Sequence, residues 1–397
     1  MAQLSDRLNR LAPSATLAMS QKSNEMKAQG VDVINMSVGE PDFNTPDHIK
    51  EAAKKAIDDN FSKYSPVPGY MDLREAIVDK LKKENHLDYT TGEVIVGTGG
   101  KQGVCNTILA LVNPGDEVII PAPYWVSYPQ MAKLAGATPV IVRAGFEQDF
   151  KMTAEQLEAA ITPKTKMLIL CSPSNPTGSV YSQEELNALA QVILKHEDIF
   201  VLSDEIYEHI NYVGKAASIA SYPGMKERTI ICNGVSKAYA MTGWRLGWVA
   251  APAWIVKGIN KLQGQYTSGT CDVSQKAAVA AYVASQDCVE QMRVAFERRR
   301  DLIVKLAKDI PGLEVNVPQG AFYLFPKCSS FFGKSDGETV INNSTDFAMY
   351  ILEKAHVATV GGDAFGDPDC FRMSYATSDD NIREAMRRIK EVLAVLK

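Results

Sequence analysis

The sequence predicts an α/β protein with a large domain built on a mostly parallel seven-stranded sheet and a smaller α+β domain. Seven short apolar runs lie between residues 94 and 250, and they lack the polar alternation of strands with one solvent face. Helical patterns, for example at 154–160 and 184–194, separate several of these runs. A chain of 397 residues is also long enough for more than one hydrophobic core.

Each predicted strand is a short apolar run bounded by turn residues. The runs are 94–97, 118–121, 139–142, 167–171, 200–203, 229–232 and 246–250. Further along, long charged amphipathic helices at 289–308 and 381–396 surround short strands near 321–325 and 371–375. We therefore predict an N-terminal arm at 1–46 that forms part of the small domain, a large domain at 47–290 and a small C-terminal domain at 291–397.

Composition and charge exclude several classes of function. The 42 Lys and Arg against 47 Asp and Glu give a net charge of -5, which does not favour nucleic acid as a partner. No window reaches the roughly 20 apolar residues of a membrane helix, and the N-terminus lacks a leader pattern, so a cytoplasmic protein is expected. The seven Cys form no C-x-x-C pair and the five His never fall four apart, so we expect neither disulfides nor a metal site.

Polar or glycine-rich loops follow the predicted strands, at the edge where parallel sheets bind ligands. Gly99, Gly100 and Lys101 open an apolar helix, so backbone N–H groups there can approach an anion; a plain glycine turn is the alternative. Asn175 stands in a loop stiffened by two prolines, which a structural turn would also explain. Asp204 ends an apolar strand and requires either a cationic partner or a helix-capping role.

Three cationic side chains complete the candidate chemistry. Lys237 has small and apolar neighbours that desolvate an ammonium and favour the neutral, nucleophilic amine, although most lysines are solvated surface charges. Arg245 follows eight residues later, where it can pair with a phosphate. Arg372 lies in an apolar strand of the small domain, where it needs a fork-shaped anionic ligand or an internal ion pair.

Together these motifs resemble the fold type I pyridoxal-phosphate (PLP) aminotransferases, most closely the bacterial branch of the aspartate aminotransferase family. The resemblance covers almost the whole chain. It rests on the four loops above and on Pro13-Ser14-Ala15-Thr16, Gly39-Glu40-Pro41-Asp42, Tyr64 with Gly69 and Leu73-Arg74, Pro123-Tyr124-Trp125, and Arg372-Met373-Ser374-Tyr375-Ala376.

The resemblance implies that the large domain carries PLP and assigns a role to each candidate residue. Lys237 would hold PLP as a Schiff base, Asp204 would pair with the pyridinium nitrogen, and Asn175 and Tyr207 would hydrogen-bond the ring oxygen. Trp125 would stack on the ring. The phosphate would be held by the loop at Gly100 and Lys101, by Arg245, and by Tyr64 of a neighbouring subunit, which implies a homodimer with shared active sites. The substrate α-carboxylate would be bound by Arg372, beside Gly39, Trp125 and Asn175.

The implied reaction is a ping-pong transamination between aspartate and 2-oxoglutarate, with Lys237 as the base and Asp204 and Tyr207 as supporting catalytic residues. Ser14 and Thr16 are candidates for the distal carboxylate. Related enzymes that also accept prephenate tend to carry a basic residue where Ala12 stands, so prephenate use is not expected. The alternatives are an aminotransferase for aromatic or other amino acids, a PLP β-lyase, a regulator built on this fold, and a dinucleotide oxidoreductase, which the glycine spacing disfavours.

Overall fold

The computed structural model describes residues 4–397 of the chain. In this range the α-helices are α1 Asp6–Asn9, α2 Ala15–Ala28, α3 Asp47–Asp58, α4 Met71–Asn85, α5 Gly100–Leu111, α6 Ser127–Leu134, α7 Ala154–Ala160, α8 Gln183–Ile193, α9 Ala253–Tyr266, α10 Asp272–Val283, α11 Asp287–Lys308, α12 Ser344–Tyr350 and α13 Asp379–Leu393. The strands are β1 Ile34–Asn35, β2 Val94–Gly97, β3 Glu117–Ala122, β4 Thr138–Arg143, β5 Thr165–Cys171, β6 Phe200–Asp204, β7 Thr229–Gly234, β8 Gly247–Ala250, β9 Tyr323–Leu324, β10 Val357–Ala358, β11 Val360–Gly361 and β12 Phe371–Ser374.

All seven predicted strands of the large domain form one sheet, which confirms the predicted fold class. The strand order is β2-β8-β7-β6-β5-β3-β4. Only β8 runs against its neighbours, because it pairs antiparallel with both β2 and β7. The remaining strands share one direction, so the carboxyl ends of β2, β5, β6 and β7 meet at one edge.

Apolar side chains cover both faces of this sheet, as the continuous hydrophobic runs require. One core cluster joins the sheet to α5, α6 and α9, and a second joins it to α3, α4 and α10. A third cluster packs α7 and α8 over β5 and β6. The sheet edge that carries the polar loops is therefore held between rigid layers.

The C-terminal part of the chain has its own core and a three-stranded antiparallel sheet of order β11-β12-β9. Helix α13 begins after Ser378, whose side chain accepts a hydrogen bond from the Asn381 N–H, and it buries one apolar face against this core. The N-terminal arm joins the same core, because β1 pairs with β10 and Ile34 belongs to the cluster. The predicted boundary at residue 290 falls inside α11.

Among residues 4–397, no helix has both the length and the apolar character needed to cross a membrane.

Candidate active site

Ten of the eleven predicted site residues line one cavity of about 430 Å³ at the carboxyl edge of the large sheet. The small-domain wall of the cavity contains Arg372 and Tyr323, and the N-terminal arm contributes Gly39 and Thr16. Tyr64 is the exception, because its side chain is fully exposed and does not line the cavity. The structure thus brings together residues that are separated by up to several hundred positions in the sequence.

Lys237 lies three residues beyond the end of β7, and it lines the cavity. Its Nζ donates a hydrogen bond of 2.5 Å to the carbonyl oxygen of Gly39. Burial lowers the pKa of Lys237 to about 8; the positive charges of Arg372 and Arg245 act in the same direction, whereas Glu40 and Asp204 oppose it. Lys237 is therefore not a solvated surface lysine, and a much larger fraction of it is the neutral amine near neutral pH than of an ordinary lysine.

Asp204 is the last residue of β6 and is buried at the floor of the cavity. Its Oδ2 accepts a 2.6 Å hydrogen bond from the hydroxyl of Tyr128, and its Oδ1 accepts a bond from the Ile206 N–H at 3.3 Å. Burial raises the pKa of Asp204, while these hydrogen bonds and Lys237 oppose the rise. No cation of residues 4–397 pairs with this carboxylate directly, so it faces the cavity without the partner that the sequence predicted.

Arg372 is a buried guanidinium without an acidic partner. It donates to Asn175 Oδ1 at 2.8 Å and to the Ser37 carbonyl oxygen at 2.6 Å. Its Nε has no hydrogen-bond partner, and burial lowers its pKa. The alternative of an internal ion pair is therefore wrong within the described chain, and an anion entering the cavity is the group that would compensate this charge.

One end of the cavity combines a helix N-terminus with an arginine. Helix α5 begins at Gly100 after Gly99, which has a φ of +82°. A Cβ on Gly99 would meet the Arg245 guanidinium, and a Cβ on Gly247 would overlap the backbone of Gly99 and Gly100. Glycine is therefore required for the close approach of this loop, and the free N–H groups of the first helical turn and the Arg245 side chain form a site for a phosphate.

The ring of Trp125 forms another wall of the cavity. It makes an edge-to-face contact with Tyr128, with ring centroids 5.3 Å apart. The Nζ of Lys101 lies 4.9 Å from the centroid of the Trp125 ring. Partial burial and the charge of Arg245 lower the pKa of Lys101, and no carboxylate of residues 4–397 pairs with it. Lys101 therefore offers a cationic side chain to the cavity in addition to its backbone N–H.

Sequence reasoning missed two tyrosines in this site. Tyr128 bonds Asp204, and the hydroxyl of Tyr323 lies 2.7 Å from the hydroxyl of Tyr207. The spacing of Tyr128, three residues after Trp125, was the only local signal, because it places both rings on one side of a helical turn. Of the two candidates for a distal carboxylate, Thr16 lines the cavity, whereas Ser14 only bonds the Thr16 hydroxyl.

A buried polar network lies beside the cavity and was not visible in the sequence. Glu208 accepts hydrogen bonds from Lys80, from Asn85 at 2.8 Å and from Asn233 at 2.6 Å. Carboxylate and imidazole atoms of Glu84, Glu208 and His209 also lie within 4.8 Å of one another. Because the Lys80 ammonium already pairs with Glu208, this cluster is charge-compensated, and the ion pair lowers the pKa of Glu208 to about 2 against the effect of burial.

The donors of the cavity fit PLP. Asp204 is a buried carboxylate without a cation, as a protonated pyridine nitrogen requires, and the glycine loop with Arg245 suits a phosphate. Lys237 supplies an amine of lowered pKa, and Trp125 supplies an aromatic face. An α/β sheet that presents these four groups at its carboxyl edge is typical of PLP enzymes.

Comparison with known proteins identifies the family. Residues 31–389 match the family described as aminotransferase class I and II, and the chain belongs to this family. It is 49% identical to the aspartate/prephenate aminotransferase of Cereibacter sphaeroides, with 100% of both chains covered. It is 48% identical to a Petunia hybrida protein named bifunctional aspartate aminotransferase and glutamate/aspartate-prephenate aminotransferase, covering 99% of this chain and 83% of that protein.

Solved structures agree with this assignment. The aspartate aminotransferase of Rhizobium meliloti superimposes with a TM-score of 0.97 at 42% identity, covering 100% of both chains. The Thermus thermophilus aspartate aminotransferase with maleate gives 0.93 at 40% identity, covering 99% of this chain and 100% of that one. The protein is therefore an aminotransferase of fold type I, as the sequence resemblance indicated, and membership in the family implies PLP as its cofactor.

Proposed function

We propose that this protein catalyses the PLP-dependent transfer of the amino group of aspartate to 2-oxoglutarate by a ping-pong mechanism. The observation that carries the proposal is the buried, unpaired Arg372 guanidinium, which faces the same cavity as the amine of Lys237. A carboxylate bound to Arg372 would bring the α-amino group of a substrate near Lys237. The names of the relatives support aspartate as that substrate.

Each residue of the cavity has a separate role in the proposed reaction. When bound, PLP supplies an electron sink that makes the substrate Cα proton acidic and carries the amino group between the two half-reactions. Lys237 moves the proton at Cα, because its lowered pKa makes it a competent base near neutral pH. Asp204 would hold the proton on the ring nitrogen, Tyr207 and Asn175 would bind the ring oxygen, and Trp125 would pack on the ring face. Arg245 and the backbone at Gly100 and Lys101 would bind the phosphate.

The second carboxylate of aspartate needs a further donor, and we assign it to the side chain of Lys101. This ammonium lines the cavity over Trp125 and has no acidic partner within the described chain. Thr16 lines the same cavity and can add a hydroxyl donor. An unpaired cation at this position favours substrates with a negatively charged side chain over alanine or phenylalanine.

The test compares amino donors with 2-oxoglutarate as the acceptor. We expect kcat/KM for aspartate to exceed the values for alanine and phenylalanine by roughly 100-fold or more. Lys101→Met should reduce kcat/KM for aspartate by roughly 10- to 100-fold and leave alanine nearly unchanged, because only aspartate carries the second carboxylate. Equal values for aspartate and phenylalanine in the wild type would support the aromatic alternative, and continued product formation beyond one molecule per chain without an acceptor would support the β-lyase.

Arg372 has a matched control in the same chain. Arg372→Lys keeps a positive charge but loses the fork, so we expect kcat/KM to fall by roughly 100-fold for every amino acid tested. Arg299 is also buried, but it pairs with Asp42 at 2.7 Å and does not line the cavity. Arg299→Lys should therefore change stability more than substrate affinity. If both variants lost activity equally, Arg372 would not be the carboxylate ligand.

For prephenate, the names of the relatives and the sequence of this chain lead to different expectations. Several relatives carry prephenate in their names, whereas Ala12 lacks the basic side chain expected for its use. Ala12 is exposed, and its backbone N–H donates a 3.0 Å hydrogen bond to Gln130 Oε1. We expect prephenate to be a poorer acceptor than 2-oxoglutarate, and Ala12→Arg should narrow the difference.

The homodimer remains part of the proposal. Tyr64 is fully exposed, and its neighbour Ser65 lies beside Gly269, which lines an open groove of about 780 Å³. Arg245 lines both this groove and the cavity, so a second chain seated on the groove could bring its own Tyr64 to the phosphate site.

The domain boundaries at 46 and 290 and the cytoplasmic location stay predictions. The pairing of β1 with β10 supports placing the N-terminal arm with the small domain.

A further inference from the structure

Tyr323 contacts three of the site residues, which are Arg372, Tyr207 and Gly39. It belongs to β9 and is opposite Ser374 of β12, so its side chain is on the same face of the sheet as Arg372, two residues away. Its ring packs against the Arg372 guanidinium, with Cζ 4.6 Å from the ring centroid, and the same Cζ lies 4.8 Å from the centroid of the Phe365 ring. The ring of Tyr323 therefore helps to fix the direction of the Arg372 fork.

The hydroxyl of Tyr323 reaches the large domain. It lies 2.7 Å from the hydroxyl of Tyr207, and both tyrosines line the cavity and are buried. A Cβ on Gly39 would overlap the Tyr323 hydroxyl, so the glycine makes room for it. The carbonyl oxygen of the same Gly39 accepts the hydrogen bond from Lys237. The side chain of Tyr323 thus contacts Tyr207 and Arg372 directly, and it contacts Gly39, which binds Lys237.

The number of available hydrogens determines which hydroxyl donates in the hydrogen bond between Tyr207 and Tyr323. Each hydroxyl has one hydrogen and two lone pairs, and only one hydrogen lies between the two oxygens. If the Tyr207 hydroxyl donates to an acceptor in the cavity, the Tyr323 hydroxyl must donate to Tyr207. A donor that is itself a hydrogen-bond acceptor is polarised and becomes a stronger donor.

We propose that Tyr323 is a positioning residue that acts through Tyr207 and Arg372. Its hydroxyl donates to Tyr207, so that Tyr207 donates to the ring oxygen of the cofactor, and its ring face holds Arg372 toward the substrate carboxylate. This inference rests on the proposed function, since it requires PLP in the cavity.

The hydroxyl is tested with the cofactor-loaded protein and its Tyr323→Phe, Tyr207→Phe and doubly substituted forms. The quantity measured is the pH midpoint at which the visible absorption of the bound cofactor changes. A hydrogen-bond donor at the ring oxygen withdraws electron density from it. This lowers the proton affinity of the Schiff-base nitrogen of Lys237, which shares a proton with that oxygen. Tyr207→Phe should therefore raise the midpoint by about one pH unit or more, and Tyr323→Phe by a few tenths of a unit.

The decisive result is the double variant, because Tyr323→Phe should add nothing once the Tyr207 hydroxyl is gone. An unchanged midpoint in Tyr323→Phe, or an equal shift in the presence and absence of Tyr207, would overturn the proposal. The charged groups around Lys237, which are Glu40, Asp204, Arg245 and Arg372, are the same in all forms. A wild-type protein with no cofactor absorption would instead refute the proposed function itself.

Tyr375→Phe is the matched control for the hydroxyl. It removes one buried hydroxyl from the strand end next to Tyr323, where the Tyr375 hydroxyl donates to the Ala321 carbonyl oxygen at 3.2 Å. Tyr375 does not line the cavity, so the midpoint should stay that of the wild type. A shift equal to that of Tyr323→Phe would mean that any loss of a buried hydroxyl in this core perturbs the site.

The ring is tested separately with a dicarboxylate that cannot react, such as maleate. Tyr323→Phe keeps the aromatic face and should leave the Kd of maleate within about twofold of the wild type. Tyr323→Leu removes the face and should raise the Kd by about 2- to 30-fold, the range expected for a cation–π contact. Equal Kd values for the Phe and Leu variants would show that the ring does not support Arg372.

Discussion

The lowered pKa of Lys237 gives the sharpest prediction for the cofactor-free protein. At a pKa of about 8 rather than the ordinary 10.5, roughly one tenth of Lys237 is neutral at pH 7, compared with about one in 3,000 for an unperturbed lysine. The neutral amine is the nucleophile, so at neutral pH the reactive fraction of Lys237 should be about 300-fold larger than that of an ordinary lysine.

The assay is competitive labelling with acetic anhydride across a pH series, followed by mass spectrometry of the peptides. Labelling of Lys237 should be half-maximal near pH 8. Lys54 is an internal control in the same digest, because its pairing with Glu51 raises its pKa above 10.5. A half-maximum for Lys237 at or above that of Lys54 would refute the account of burial at this site.

Two variants test the sign of the charge effects on Lys237. Glu40 raises the pKa of Lys237 and Arg372 lowers it. Glu40→Gln should therefore move the labelling midpoint to lower pH, and Arg372→Leu should move it to higher pH. Shifts in the same direction for both variants would mean that a change of conformation, rather than charge, controls Lys237.

Other consequences follow from the same geometry. Lys237→Ala should reduce turnover by several orders of magnitude, and borohydride reduction of the loaded wild type must label Lys237 and no other lysine. Asp204→Asn should slow both half-reactions far more than it weakens cofactor binding, and Tyr128→Phe should have a smaller effect in the same direction, about 10-fold, because it removes one hydrogen bond to that carboxylate. Mixing the Tyr64→Phe and Arg372→Ala single variants should restore some activity if the two residues serve one site from different chains; a fully active monomer in sedimentation would reject this. Because the pKa of Lys237 is lowered in the folded state, the unfolded chain binds more protons between pH 8 and 10.5. The free energy of unfolding of the cofactor-free protein should therefore rise with pH across this window. Lys237→Met should stabilise that protein at pH 7 by about 1–3 kcal/mol, and a loss of stability would contradict the lowered pKa.

The sequence predicted the large sheet well because both of its faces are covered. Buried parallel strands must be continuous apolar runs, and this pattern is readable in a single chain. The direction of β8 was not predicted, since an apolar run has no direction. The backbone at Arg245, two residues before β8 begins, has a φ of +53°, in the left-handed region.

The candidate site was predictable where a residue follows a strand and carries unusual chemistry. Lys237, Asp204 and Asn175 meet this condition, and all three line the cavity. Tyr128 and Tyr323 do not, because each lies in an apolar stretch in which a tyrosine fits as a packing residue. Their roles depend on contacts with Asp204 and Tyr207 across 76 and 116 residues, and local patterns do not report such distances.

The sequence also could not show which buried cations have a carboxylate partner. Arg372 and Arg299 are both buried arginines of the C-terminal part, yet only Arg299 has a carboxylate partner, Asp42. The sequence left an internal ion pair open for Arg372, and only the assembled cavity removes it. Lys101 likewise was expected to act through its backbone, whereas the position of its unpaired ammonium over Trp125 suggests a second, side-chain role.

The most direct test of the central claim is a single half-reaction. The PLP-loaded protein is mixed with aspartate in the absence of any keto acid acceptor, and the released keto acid is counted against the number of protein chains. The account predicts one oxaloacetate for each chain, a matching loss of the cofactor's original visible absorption, and then no further product until 2-oxoglutarate is added. Continued product release without an acceptor, or no oxaloacetate at all, would contradict it.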